Sequence, residues 1–250
     1  MSQEQHRNAL VLGAGGGLGQ AIVAQLLTDT SIDRVIAVSR NAQTEDLSSH
    51  WMSSNRLTWI TSEYTEPAMS EIVAQLMPLA GTLSRVCICH GLLHNDSIWP
   101  EKRLEDISGD ALHEIFHANT VIPSLWFKLL YRLLAGKQRC VVATLSARVG
   151  SIGDNRVGGW YAYRASKSAL NMMLKTIAVE YARRAKNVKL ISFHPGTTDT
   201  ALSKPFQASV HKDSLFSTVF VAERLTGIMD RAEVDGQLSY VDWDGKTIPW

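Results

Sequence analysis

The chain lacks most of the features that would mark it for another class. Only three cysteines occur, Cys87, Cys89 and Cys140, an odd number set in apolar runs, so no disulfide framework is expected. Cys87 and Cys89 are separated by one residue and are expected on opposite faces of a strand, which disfavours a joint metal site. All three read as buried small hydrophobes. Charge of one sign is missing too: 25 Lys and Arg against 24 Asp and Glu leave +1, with no long block of either sign. Nucleic acid and anionic membrane surfaces are therefore not expected as partners, and a small molecule is. No apolar run approaches membrane-spanning length, and the polar start MSQEQHRN has no signal-like apolar core, so the cytoplasm is the expected compartment. Neither a fixed-period repeat nor a low-complexity tract interrupts the sequence.

What is present is a globular composition, 45% hydrophobic and 20% charged, in 250 residues expected to form one domain, 1–250. Seven apolar, β-rich runs recur at 9–12, 35–38, 57–60, 86–89, 140–145, 188–193 and 238–241. Most are continuously apolar instead of alternating, which predicts parallel strands covered on both faces. Segments with helical spacing lie between them, at 18–27, 68–77, 112–134, 161–185 and 219–229. This alternation predicts an α/β, doubly wound Rossmann fold with a seven-stranded parallel sheet flanked by helices, and a ligand beyond the carboxyl ends of the strands. Two irregular stretches, 146–159 and 197–214, follow strands and are expected to face that ligand, the second as a substrate loop.

The first run passes directly into Gly13-Ala14-Gly15-Gly16-Gly17-Leu18-Gly19 and then into a helical pattern. Five glycines in seven residues let the backbone approach a pyrophosphate, and the start of a helix offers it N–H donors. The spacing is G-x-x-x-G-x-G, not G-x-G-x-x-G, and no Lys-Ser/Thr follows, which argues against a nucleotide-triphosphate loop. A methyltransferase using S-adenosylmethionine also has a glycine-rich first turn and stays open at this point. The second run ends in Ser39-Arg40, where an acidic residue would hold a ribose 2′-hydroxyl and an Arg can pair with a 2′-phosphate, so NADP is favoured over NAD. Glu63 and Tyr64, after the third run, are candidates for the adenine pocket.

Ser146 follows the run 140–145, and Tyr163 and Lys167 stand at i and i+4 of a helical segment. One helix face thus carries a phenol and an ammonium, and the cation is expected to lower the phenol pKa toward a range useful for proton transfer. Tyr161 lacks a lysine at i+4 and reads as pocket wall or packing, while His90, His94 and His194 are scattered without ligand-like pairing.

Gly13-xxx-Gly17-x-Gly19, Asn119, Ser146, Tyr163-xxx-Lys167 and Pro195-Gly196-xxx-Thr200 occur in the order of the short-chain dehydrogenase/reductase family, which the chain resembles over nearly its whole length. The resemblance implies an NAD(P)-dependent oxidoreductase acting on a carbonyl or alcohol. Tyr163 would be the general acid/base and Ser146 would bind the substrate oxygen. Lys167 would bind nicotinamide-ribose hydroxyls, Asn119 would hold a relay water, and Thr198 and Thr200 would hold the carboxamide. Gly91 would keep the cofactor's close approach open, and a homodimer or homotetramer through the long helices is implied. Departures are Leu12 in place of a Thr, Cys89-His90-Gly91 in place of Asn-Ala-Gly, and a Ser146 to Tyr163 interval of 17 residues, longer than usual, so that 153–160 must loop out. The stretch from Gly158 to Asn171 and the ending from Asp242 to Trp250 look like the sniffer-type carbonyl reductases and the bacterial C-factor proteins. That branch favours an aldehyde or ketone substrate and NADPH-dependent reduction, with a signalling role as the alternative.

Overall fold

The computed structural model describes residues 6–42 and 55–250; Met1 to Gln5 of the polar start lie outside the described residues. The expected strands form at β1 (Asn8–Leu12), β2 (Arg34–Ser39), β3 (Leu57–Thr61), β4 (Leu83–Ile88), β5 (Cys140–Leu145), β6 (Val188–His194) and β9 (Leu238–Asp242). They make one seven-stranded sheet in the order β3-β2-β1-β4-β5-β6-β9, parallel at every pairing. Two further strands, β7 (Thr197–Thr198) and β8 (Leu215–Phe216), pair with each other and clip the base of the 197–214 loop.

The continuous apolar runs are explained by two core layers. Leu10, Leu12, Ile36, Val38, Val86, Ile88, Val142 and Leu190 face one layer, while Ala9, Val11, Val35, Ala37, Cys87, Val141, Ala143 and Ile191 face the other. Successive residues of a strand point to opposite sides, so a sheet covered twice needs apolar side chains at every position. Helices α2 (Glu66–Leu76), α4 (Ile122–Leu134) and α5 (Tyr161–Arg184) cover the first side; α1 (Gly17–Thr28) and α6 (Thr218–Arg231) cover the second. Cys87 and Cys89 lie toward the same layer, which corrects the expectation of opposite faces: residues two apart in a strand share a face. Burial pushes the Cys87 thiol up to about 12 and that of Cys89 well above its usual value, as befits packing groups.

The helix expected over 112–134 is not uniform. It comprises α3 (Gly109–Phe116), a π-helical turn over His117–Val121, and α4. One extra residue per turn rotates the side chains after it, and such turns often mark functional sites. Here the turn carries Asn119. Among the described residues no helix is long and apolar enough to cross a membrane.

Candidate active site

Strand order reverses between β1 and β4, and a crevice opens there beyond their carboxyl ends. Its first wall is the glycine turn. Gly13 adopts φ 81°, a left-handed conformation that suits glycine, and the N–H groups of Gly13 and Ala14 both donate to Val38 O, at 3.0 and 2.9 Å. α1 begins at Gly17, with no side-chain cap from Gly16 and no acidic residue in its first turn. The N–H groups of that turn have no intrahelical acceptor, and Gly16, Gly17, Leu18 and Gly19 line the cleft. A Cβ on Gly19 would overlap the Gly13 carbonyl oxygen, one on Gly15 would overlap Ser39 Oγ, and one on Gly17 would lie 3.3 Å from Thr200. A turn this tight brings backbone, not side chains, to the cleft surface. That donor set and shape fit the pyrophosphate of a dinucleotide.

At the ends of β2 and β3, Arg40 is exposed and its guanidinium stands 5.8 Å from the centre of the Tyr64 ring. Tyr64 packs edge-on against His90 at 4.3 Å, and Glu63 is exposed beside it. Ser39, Arg40, Glu63 and Tyr64 lie outside the lining of the main cleft, a cavity of about 760 Å³ reached by Gly91, Ser146, Tyr163, Lys167, Pro195, Gly196, Thr198 and Thr200. Tyr161 does not line it either.

Ser146 leaves β5 with its N–H bonded to Phe193 O at 2.8 Å, and its hydroxyl donates to Asn171 Oδ1 at 2.8 Å. Lys167, 2% exposed, sits one helical turn beyond Tyr163; its Nζ donates to Leu145 O at 2.9 Å and stands 5.8 Å from the centre of the Tyr163 ring. Burial lowers this ammonium to about 7 and pushes the Tyr163 phenol above its usual value. The expected lowering of the phenol by its cation is thus not seen in this structure. Dry surroundings disfavour the phenolate and the ammonium alike, and burial is the cause that raises the one and lowers the other.

Asn119 is wholly buried. Its Oδ1 accepts from Leu92 N at 2.7 Å, and its Nδ2 donates to Leu92 O at 2.9 Å and to Ser166 Oγ at 3.0 Å. The position of a Cβ on Gly91 lies 3.8 Å from Lys167 Nζ and 3.9 Å from Asn119 Oδ1, so a glycine there keeps the space between them open. Gly196 adopts φ 73° and approaches Phe216 so closely that a Cβ would lie 2.6 Å from its ring. From the 197–214 loop, Phe206 comes within 5.1 Å of Trp160, which in turn stands 6.2 Å from Tyr163, ring centre to ring centre.

Three features escaped the sequence. Trp160 starts α5 in a left-handed conformation (φ 54°) with no capping side chain of its own. Glu101, 4% exposed, does the capping: its carbonyl accepts from Trp160 N at 2.6 Å and its carboxylate from Ala162 N at 3.2 and 3.3 Å. An acidic group at a helix N-terminus is favourable, and this one anchors the turn that carries Tyr163. It lies 61 residues away in an irregular segment, beyond any local capping pattern. The second is Asn171, which holds Ser146. The third is His90, whose Nε2 accepts from Trp126 Nε1 at 2.9 Å inside the cleft wall.

His90 is held down to about 3, first by burial and then by Arg40 and Lys167, and His194 to about 4 by burial. Below about pH 6.5 the unfolded chain takes up protons that the folded chain refuses, so these residues make stability fall as pH drops through that window. The Tm should therefore decline on acidification from pH 6.5 to 4, and less steeply in His90→Phe; equal slopes by calorimetry would contradict the assignment.

The sequence model described as short chain dehydrogenase matches residues 7–211. The chain belongs to the short-chain dehydrogenase family. As a member it is an oxidoreductase that works with a nicotinamide cofactor. A short-chain dehydrogenase relative, benzil reductase ((S)-benzoin forming) of Bacillus subtilis, is 26% identical over 246 residues, covering 92% of this chain and 96% of its own. The carbonyl reductase Sniffer of D. melanogaster superposes with a TM-score of 0.83 at 21% identity, over 98% of this chain and 100% of its own. A short-chain dehydrogenase/reductase from Burkholderia multivorans with bound NADP gives 0.82 at 22% identity, with the same coverage. The topology expected from the sequence is that of these structures.

Proposed function

We propose that the protein reduces an uncharged ketone or aldehyde at the expense of NADPH, with Tyr163 delivering the proton. The observation that carries this reading is the convergence of the glycine turn, Ser146, Tyr163 and Lys167 on one cleft. Bound against the turn, reduced nicotinamide would supply the hydride. Gly17, Leu18 and Gly19 would present backbone donors to the pyrophosphate, and Pro195, Gly196, Thr198 and Thr200 would flank the nicotinamide end. Ser146 would fix the substrate oxygen, Tyr163 would protonate it as negative charge develops, and Lys167 would bind the adjacent ribose hydroxyls. Asn119, fixed by Leu92 and Ser166, would steady the lysine side of that proton path.

Two observations support the substrate class. Lys167, which this reading assigns to the ribose hydroxyls, is the one charged side chain among the described lining residues, because burial keeps His90 and His194 neutral, so no other cation is left to pair with a carboxylate or phosphate on the substrate. Its mouth is instead walled by Leu93, Val149, Trp160, Phe206 and Val210. The name of the Bacillus subtilis relative is likewise that of a reductase of a diketone. Exposed Met172, Met173 and Val179 on α5 support assembly into a homodimer or homotetramer.

For the cofactor, the exposed guanidinium of Arg40 at the end of β2 supports NADP over NAD, as does the NADP in the Burkholderia multivorans structure. A charge-assisted contact to a 2′-phosphate predicts NADPH binding roughly 10–100-fold tighter than NADH. Arg40→Asp should remove or reverse that gap. Fluorescence titration giving equal affinities for the native protein would rule out this role for Arg40.

A further inference from the structure

Asn171 lies eight residues after Tyr163 on α5 and is 3% exposed. Its Oδ1 accepts two hydroxyl protons, from Ser146 at 2.8 Å and from Ser192 at 2.7 Å. Ser192 is fully buried inside β6, so it cannot touch a substrate. Asn171 also lies beside the Tyr240 phenol, where a hydrogen bond from its side chain opposes the rise that burial imposes on that phenol. Hydrogen bonds among buried groups are strong when made and costly when unmade, so this three-way arrangement strongly constrains the Ser146 hydroxyl.

While Ser146 donates to Asn171 it can offer the cleft only lone pairs. An alcohol can use such an acceptor, but a carbonyl oxygen needs a donor. Sharing makes release of the Ser146 proton inexpensive, because Oδ1 stays satisfied by Ser192. An asparagine amide can also turn and present two N–H groups to the two hydroxyl oxygens, which frees both hydroxyl protons.

We propose that Asn171 is a positioning residue that holds Ser146 at the cleft and sets whether its hydroxyl proton is available to the substrate oxygen. This rests on the reading of Ser146 as the donor to that oxygen. An aspartate at the same place would only accept, and its charge-assisted bond would hold the Ser146 proton more firmly. The other titratable groups nearby are Tyr163 and Lys167 on the same helix, His194 at the end of β6, and Tyr240 of β9, whose phenol donates to Ala147 O at 2.7 Å.

The test uses full-length Asn171→Asp, Ser192→Ala and Ser146→Ala, with kcat/KM for ketone reduction measured across pH and NADPH affinity measured by fluorescence. Asn171→Asp is expected to lose on the order of 10–100-fold in kcat/KM at neutral pH, to recover as the carboxyl is protonated, and to bind NADPH normally. Ser192→Ala leaves Ser146 as the sole donor to Oδ1 and should lower kcat/KM about fivefold with unchanged NADPH affinity. A merely structural role would produce neither the pH recovery nor the Ser192 effect. Wild-type kcat/KM in either variant, or a loss in Asn171→Asp that acidification does not relieve, overturns the proposal; if Asn171→Asp does not fold, the Ser192→Ala result decides alone. Full activity in Ser146→Ala would defeat the reading of Ser146 and the role of Asn171 with it. An inactive Ser146→Ala beside an unimpaired Asn171→Asp would remove the Asn171 proposal only.

Discussion

Tyr163→Phe is expected to lower kcat/KM for carbonyl reduction by about 10²–10⁴-fold, the range that a positioned proton donor contributes. The change removes one oxygen and leaves the ring that packs edge-on against Trp160 at 6.2 Å. Among the described residues that hydroxyl has no hydrogen-bond partner, so its loss should leave the Tm nearly unchanged. NADPH affinity should also persist, because the backbone donors of the glycine turn are untouched. A fall in kcat with unchanged cofactor affinity would assign the defect to proton delivery. The pH profile should change with it. Burial holds the phenol above its ordinary value and Lys167 at about 7, so in this structure the tyrosine is a proton-bearing acid throughout the neutral range, as reduction requires. A Tyr163→Phe variant with native activity would remove the tyrosine from the chemistry.

Gly19→Ala is expected to damage both binding and stability. A Cβ there would overlap the Gly13 carbonyl oxygen and lie 2.9 Å from Ala14 Cα and 3.2 Å from Ala14 C. All three are backbone atoms of the turn, so relief requires the turn to move, whereas a flexible side chain could simply swing aside. Overpacking of this kind costs about 1–3 kcal/mol, which should lower the Tm by several degrees in a chain of this size. Moving the turn also spoils the first-turn N–H groups as a pyrophosphate cradle, and NADPH affinity should fall by more than about tenfold. Calorimetry and titration giving native values would show that the turn tolerates a side chain and that its glycines serve another purpose.

Why the sheet was legible and parts of the site were not follows from the range of the signals. Runs such as 140–145 are apolar at every position because both faces of β5 are covered, so local sequence carries the full information. The Tyr163 and Lys167 pair was equally local, one helical turn apart on α5. Glu101 and Asn171 were not, because each acts on residues that the sheet brings to it. Glu101 reaches Ala162 across 61 residues, and Asn171 reaches Ser146 across 25 and Ser192 across 21. The π-helical turn at Asn119 also left no mark in the apolar spacing of 112–134, since the flanking helices keep their own periodicity. The burial of Tyr163 was hidden for a related reason. Residue spacing reveals the neighbouring charge but not the desolvation, and here desolvation dominates.

The most direct test of the account is the fate of the hydride. Purified protein would be incubated with NADPH deuterated at the transferable position and with an uncharged aryl diketone, and the products analysed by mass spectrometry. The account predicts deuterium on the carbinol carbon of the product alcohol, formed about 10²–10⁴-fold more slowly by Tyr163→Phe. Tight NADPH binding with no transfer to that diketone or to any of a panel of uncharged aldehydes and ketones would contradict it.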